Sequence, residues 1–160
     1  MNHFPIPVNI KLSHPNAKVP TKNNESDMGY DFYCIPDEDF HGEYLGDPDK
    51  NAFRLYPKTS HVFHTGVHLS IPDNYGLLLW DRSGMGAKRN IHRLAGVIDA
   101  GYRGEIMVCL VNLSKESQLI KTGDKIIQGI FQQRIGVMWN LVDELDDSIR
   151  GEKGFGSSGA

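Results

Sequence analysis

At 160 residues, with 39% hydrophobic and 23% charged side chains, the chain is long enough for one domain with its own core. A formal net charge of −3 excludes a general nucleic-acid binder, which needs a basic surface, but leaves room for a pocket holding a few cations. The two cysteines, Cys34 and Cys109, form no CxxC pair. They give no support to zinc or thioredoxin-type chemistry and fit a reducing cytoplasm. No signal-peptide pattern opens the chain, and no apolar run approaches the ~20 residues that span a bilayer.

In chain order, PVNIKL alternates at Val8, Ile10 and Leu12 and predicts a first strand. The acidic, turn-rich segment 37–54, DEDFHGEYLGDPDKNAFR, predicts a surface loop or an extended hairpin. His64 and His68, with His61 nearby, fall on a predicted strand. No third ligand has suitable spacing, so they are read as solvent-facing rather than as a metal site. GVHLSI alternates at Val67, Leu69 and Ile71, and YGLLLW follows. One or two helical turns are predicted from Ser83 through GMGAKRN, weakened by two glycines. GEIMVCLVN, SQLI, KIIQGIFQQ and GVMWNLV continue the short strand-like runs, separated by Gly, Pro, Asn and Asp. DELDD reads as a solvated face. Many short strands and frequent turn signals predict an all-β barrel or sandwich. The glycine-rich tail RGEKGFGSSGA cannot bury enough surface to fold alone. The organisation expected is a domain over residues 1–147 and a flexible arm over 148–160.

Three stretches carry candidate chemistry. In AGVIDAGYRGEIMVCLVN, read as strand, turn and strand, the turn presents Asp99 at the end of an apolar strand, where a base can reach solvent. Tyr102 in the same turn offers a flat surface for a ligand. In WDRSGMGAKRN, Arg82 can fork onto phosphate oxygens and Ser83 can cap the helix or donate its hydroxyl. Gly84 and Gly86 permit close backbone approach there. In the tail, Arg150 can meet a terminal phosphate, Phe155 can stack on a base, and Gly156 and Ser157 can supply amides and a hydroxyl. Taken singly, a hairpin, a capped turn and a loose end need no function.

Together, five stretches in order resemble the motifs of the trimeric dUTP diphosphatase (dUTPase) family: SDMGYDFY, DRSGMGAK, GVIDAGYRGEIMVCLVN, GDKIIQGIF and RGEKGFGSSG. The match runs from Glu25 onward. The resemblance implies a jelly-roll-like β-barrel of the β-clip type with one short helix and a C-terminal arm. It also implies a homotrimer with active sites at subunit interfaces. The reaction implied is hydrolysis of dUTP to dUMP and pyrophosphate with Mg²⁺, which keeps uracil out of DNA and supplies dUMP for thymidylate synthesis. Neither nucleic acid nor membrane is implied as a partner, and the expected location is cytoplasmic. Carried over by position, Asp99 would activate the attacking water and Tyr102 would lie under the deoxyribose. Main-chain groups at Gly96, Val97, Ile98 and Met107 would pair with uracil. Arg82, Ser83, Gly84 and Gln128 would hold phosphates, and Asp31 would meet the metal through water. Arg150, Phe155, Gly156 and Ser157 would close the site.

The sequence departs from the family pattern in places. Asp81 stands where proline is usual, Met28 where alanine is typical, and Ser158 where threonine is common. The segment 37–54 is longer than typical. The dCTP deaminases share the fold but need a glutamate where this chain has Cys109. A different class of reading, a regulatory trimer acting through segment 37–54, is the second alternative.

Overall fold

The computed structural model describes residues 5–35 and 52–152. Phe155, Gly156, Ser157 and most of segment 37–54 lie outside the described residues. The last residues of that segment, Ala52, Phe53 and Arg54, belong to a strand rather than a loop.

Eleven strands are present among the described residues: β1 (Asn9–Leu12), β2 (Tyr30–Tyr33), β3 (Ala52–Leu55), β4 (Ser60–Phe63), β5 (Val67–Ser70), β6 (Tyr75–Trp80), β7 (Ile91–Leu94), β8 (Val97–Ile98), β9 (Val108–Asn112), β10 (Gln118–Lys121) and β11 (Lys125–Gln133). They form four small antiparallel sheets, ordered β1-β5, β10-β3, β2-β11-β6-β8 and β4-β9-β7. The predicted helical turn is a π-helical turn at Gly84–Lys88, between β6 and β7. The architecture is the all-β, jelly-roll-like one that the sequence predicts.

Alternation decides what goes inside. In β9, Val108, Leu110 and Asn112 point inward while Cys109 and Val111 are half-buried. Phe32, Leu55, Leu77, Ile91, Ile106, Leu110, Ile120, Ile126 and Ile127 make the best-buried part of a single core. Truncating one of them to alanine typically costs about 2–5 kcal/mol, the lost transfer energy plus the cavity left behind. Gly129 lies in the long strand β11 because a Cβ there would sit 2.8 Å from both Leu77 and Phe32. Asn112 is fully buried yet fully satisfied. Its amide donates to the Leu55 and Glu116 carbonyls, and its oxygen accepts from the Ser114 N–H and hydroxyl.

Several expectations need correction. Strand β1 exists, but Ile10 and Leu12 remain 39% and 40% exposed, because β1 is an edge strand paired only with β5. GVMWNLV forms no strand. Among the described residues the last strand ends at Gln133, and beyond it Met138, Trp139 and Leu141 are 95%, 89% and 99% exposed. His64 and His68 do not share a strand. His64 follows β4 and pairs with Glu105, while His68 lies on β5 and bonds to the Arg103 carbonyl and the Ser13 hydroxyl. No cluster of three or more His, Cys, Asp or Glu able to hold a metal occurs among the described residues.

Candidate active site

The phosphate-cradle candidates gather where three strands run side by side. Gln128 of β11 lies opposite Asp31 of β2 on one side and Trp80 of β6 on the other. Arg82 follows directly after β6. The Asp31 side chain is nine-tenths buried, and each of its oxygens faces a cation: Arg82 Nε at 2.7 Å and Lys125 Nζ at 2.9 Å. A buried carboxylate is tolerable only when paired in this way. Arg82 also donates to the Lys125 carbonyl. The Gln128 amide donates to the Asp81 carbonyl at 2.8 Å, and its oxygen occupies the space a Cβ at Gly29 would need. Motifs far apart in sequence thus become one polar cluster.

Ser83 is exposed, and its hydroxyl makes no cap hydrogen bond, so it is not spent on the helical turn. A Cβ on Gly84 would meet nothing within 4 Å, which leaves that side of the backbone open. Arg82, Gly84, Arg89 and Lys125 border a cavity of about 490 Å³. Asp81 is turned away from it. Its carboxylate accepts from His92 Nδ1 at 2.5 Å and from the Arg93 N–H at 2.9 Å, which ties the start of the cradle to β7.

The second part of the site is a slot. The run around residues 95–112 is read from sequence as a simple hairpin, but its two arms do not pair with each other. Val97 and Ile98 pair with Leu78 and Leu77 of β6, whereas β9 pairs with β4 and β7. The arms therefore splay and leave a cavity of about 180 Å³ between them. Gly96, Val97, Ile98 and Met107 all line it, and so does Cys109. That volume equals roughly six water molecules. Gly96 carries φ +126°, and a Cβ there would crowd Leu79 and Arg93 at 3.2–3.3 Å, so the slot's inner wall requires glycine. Arg93 closes one side, stacked 4.9 Å over the Trp80 ring and donating to the Ala95 carbonyl.

Asp99 follows β8 directly. It is exposed and lines a neighbouring cavity of about 370 Å³, which shares Val97 and Ile98 with the slot. Tyr102 is 41% exposed. Its ring folds back over its own turn, so close to Gly104 that a Cβ there would lie 2.3 Å from the hydroxyl oxygen, and its O–H donates to the Glu105 carbonyl at 2.9 Å. Arg150 is exposed, beyond the last strand. Sequence reasoning gave no role to Lys125 or Glu105 and read His64, which pairs with Glu105, as solvent-facing. The first two lie inside quoted motifs, but their partners are dozens of residues away.

Two features stand out in this jelly-roll-like protein: a small slot between splayed strands and, with no lining residue in common, a cation-lined turn. The dUTPase family model matches residues 50–159, and the chain belongs to the dUTPase family. It is 38% identical to the deoxyuridine 5'-triphosphate nucleotidohydrolase of Ehrlichia canis, over 94% of this chain and 92% of that one. It is similar to the dUTPase of Staphylococcus bacteriophage 80alpha solved with dUpNHpp: TM-score 0.75, 29% identity, covering 96% of this chain and 99% of the other. A mutant dUTPase of phage phi11 of S. aureus, described with a coordinated structural Mg(II) ion, resembles it in fold: TM-score 0.72, 24% identity, 88% and 99% covered.

Proposed function

We propose that this chain hydrolyses dUTP to dUMP and pyrophosphate, with Asp99 activating the water. Water oxygen attacks the α-phosphorus as its proton passes to Asp99. The bond from the α-phosphorus to the bridging oxygen breaks, and pyrophosphate leaves with the electron pair. One observation carries this reading. Gly96, Val97, Ile98 and Met107 line a single slot, and Asp99, next in the chain, lines the neighbouring cavity that shares Val97 and Ile98 with it. Uracil enters the slot and meets main-chain groups. A wrong base leaves buried polar groups unpaired, which discriminates by several powers of ten. Tyr102 lies under the deoxyribose and leaves no space for a 2′-hydroxyl. Arg82, Ser83, Gly84 and Gln128 serve the phosphates, with Arg82 held ready by Asp31.

Mg²⁺ fits only as an ion carried by the triphosphate. The chain provides no carboxylate cage among its described residues, and both Asp31 oxygens already face cations. Asp31 would reach such an ion through water. The ion's chemistry is charge neutralisation on the phosphates; what the chain itself contributes is positioning.

The assembly proposed is a homotrimer with interface sites. In one chain the cradle cavity and the slot share no lining residue, which is the arrangement expected if each active site takes its halves from two copies. The exposed apolar run holding Met138, Trp139 and Leu141 supports a segment that docks on another copy. Arg150, with Phe155, Gly156 and Ser157 of the arm, closes the site over bound nucleotide and excludes water. No helix of the described residues is long and apolar enough to cross a membrane. Two cysteines outside any CxxC pair, Cys34 and Cys109, support a cytoplasmic setting.

The test is pyrophosphate release with Mg²⁺ from dUTP, dCTP, dTTP and UTP, for wild type and Asp99→Asn. Rapid release from dUTP alone is expected, falling at least about a hundredfold in Asp99→Asn. Equal turnover by Asp99→Asn would remove Asp99 as base, and ammonia release from dCTP, measured alongside, would restore the deaminase-like reading despite Cys109.

A further inference from the structure

The turn 99–105 carries two carboxylates, and the proposed reaction uses only Asp99. The other, Glu105, is three-quarters or more buried on its side chain, at 19% exposure, and is fully engaged. Its Oε1 accepts two main-chain N–H groups, from Thr65 at 2.9 Å and Gly66 at 2.6 Å. His64 Nδ1 lies 2.9 Å from Oε2. Gly66, at φ +66°, turns the backbone so that neighbouring amides converge on one oxygen. The next residue is held as well. The Ile106 N–H donates to the Val67 carbonyl, and the Thr65 hydroxyl donates to the Ile106 carbonyl.

Beyond this point one further side chain ties the turn to the barrel, His68 on the Arg103 carbonyl at 3.1 Å, and the other bonds run within the turn: the Tyr102 N–H donates to the Asp99 carbonyl and the Arg103 guanidinium to the Ala100 and Tyr102 carbonyls. Gly101 and Gly104 lack side chains, and a Cβ on Gly101 would meet nothing within 4 Å. Glycines raise the entropic cost of holding one conformation. Yet both contacts that seat the Tyr102 ring, its face on Gly104 and its O–H on the Glu105 carbonyl, depend on where the backbone of 104–105 lies. The Glu105 carboxylate fixes that backbone to a different part of the barrel, about forty residues earlier in sequence.

We propose that Glu105 is a positioning residue for sugar discrimination: it locks the Tyr102 turn to loop 64–66 before nucleotide binds. This inference rests on the reading of Tyr102 as the sugar platform. Because both backbone donors use Oε1, glutamine can keep them, and its amide can donate to a neutral imidazole at His64. Aspartate keeps the charge but is one methylene short and cannot reach all three partners. The clamp therefore predicts that the neutral isostere outperforms the charged homologue, the reverse of what a charge requirement predicts.

The experiment measures kcat and KM for dUTP and UTP in wild type, Glu105→Gln, Glu105→Asp and Tyr102→Ala, in alkaline buffer where imidazole is neutral. Thermal melts of the same samples report folding. Glu105→Asp is expected to lower the dUTP/UTP ratio of kcat/KM by about tenfold or more, chiefly by raising kcat/KM for UTP as space for a 2′-hydroxyl opens, since ångström-scale misplacement has effects of that order. Glu105→Gln is expected to recover most of that ratio. A folded Glu105→Asp with the wild-type ratio overturns the proposal, as does a ratio lost equally in both variants. If Glu105→Asp fails to fold, His64→Ala, which removes one of the three contacts, takes its place: a reduced ratio supports the clamp and an unchanged one overturns it. The two readings fail separately. A wild type that does not hydrolyse dUTP refutes the function. A wild type whose discrimination survives Tyr102→Ala refutes the platform. Loss in Tyr102→Ala with no change in the Glu105 variants refutes only the clamp.

Discussion

Asp81 stands where the family usually has proline, and beside a triphosphate a carboxylate looks unhelpful. The structure gives it work elsewhere. It faces β7, taking the Arg93 N–H and His92, while its own carbonyl receives the Gln128 amide. A side-chain tether here does what a rigid φ would do, holding the chain just before Arg82 and Ser83. Glu105 shows the same logic with a pH signature. Burial pushes its carboxyl up. The hydrogen bond from His64, the Gly66 N–H, the charge of His64 and the Thr65 N–H outweigh that, and the group is held below its ordinary value of 4.5. A depressed folded value means that the ionised form stabilises the fold above the ordinary value. That contribution is lost as pH falls through the folded one. The melting temperature of wild type is therefore expected to exceed that of Glu105→Gln at neutral pH and to converge with it in acid, below 4.5. Melting curves across that range check it, and a constant offset would contradict it. Asp99 and Tyr102 stand out in the sequence as candidates because their turn is local. Glu105 was visible as a letter but not as a clamp, since its partners lie about forty residues away.

At the level of the element, the slot exists because β8 leaves its sequence neighbour and joins β6. A hairpin that zipped fully would have no cavity. The sequence shows two apolar runs and a turn, and alternation identifies both as strands. Alternation is silent on partners, because either pairing buries the same faces. Gly96 is the hinge of this departure. Gly96→Ala places a Cβ against Leu79 and forces alanine to φ +126°. The expected cost is about 1–3 kcal/mol of stability, together with a raised KM for dUTP as β8 shifts. Denaturation and steady-state kinetics measure the two effects. Unchanged KM in a destabilised variant would separate β8 from base binding.

On the scale of the whole molecule, the apolar run after β11 is the unfinished part of the chain. Met138, Trp139 and Leu141 are nearly fully exposed, which a lone soluble domain rarely tolerates in one contiguous stretch. Ending the chain after Asp147 keeps all the strands of the described residues and this run, and removes Arg150 and the arm. The truncated protein is expected to melt close to the wild type and to sediment as the same assembly. Its turnover is expected to fall by about tenfold or more, because the proposed closure over the phosphates is lost. Retained activity would refute a closing arm, and a change in assembly would move the docking contacts beyond Asp147.

What the sequence determined by itself was whatever depends on near neighbours. The two-residue alternation made the class all-β, and turn chemistry marked 99–105. The spacing of motifs carried the family resemblance, with its expected dUTP chemistry. The tertiary structure decided whatever depends on partners distant in the chain. It placed Asp31 between Arg82 and Lys125, turned Asp81 toward β7, opened the slot between β8 and β9, and fastened Glu105 to loop 64–66. The physical reason is common to all four. A side chain's periodicity is set by its own backbone, but the group that satisfies its charge or hydrogen bond is chosen only when the sheets assemble around one core.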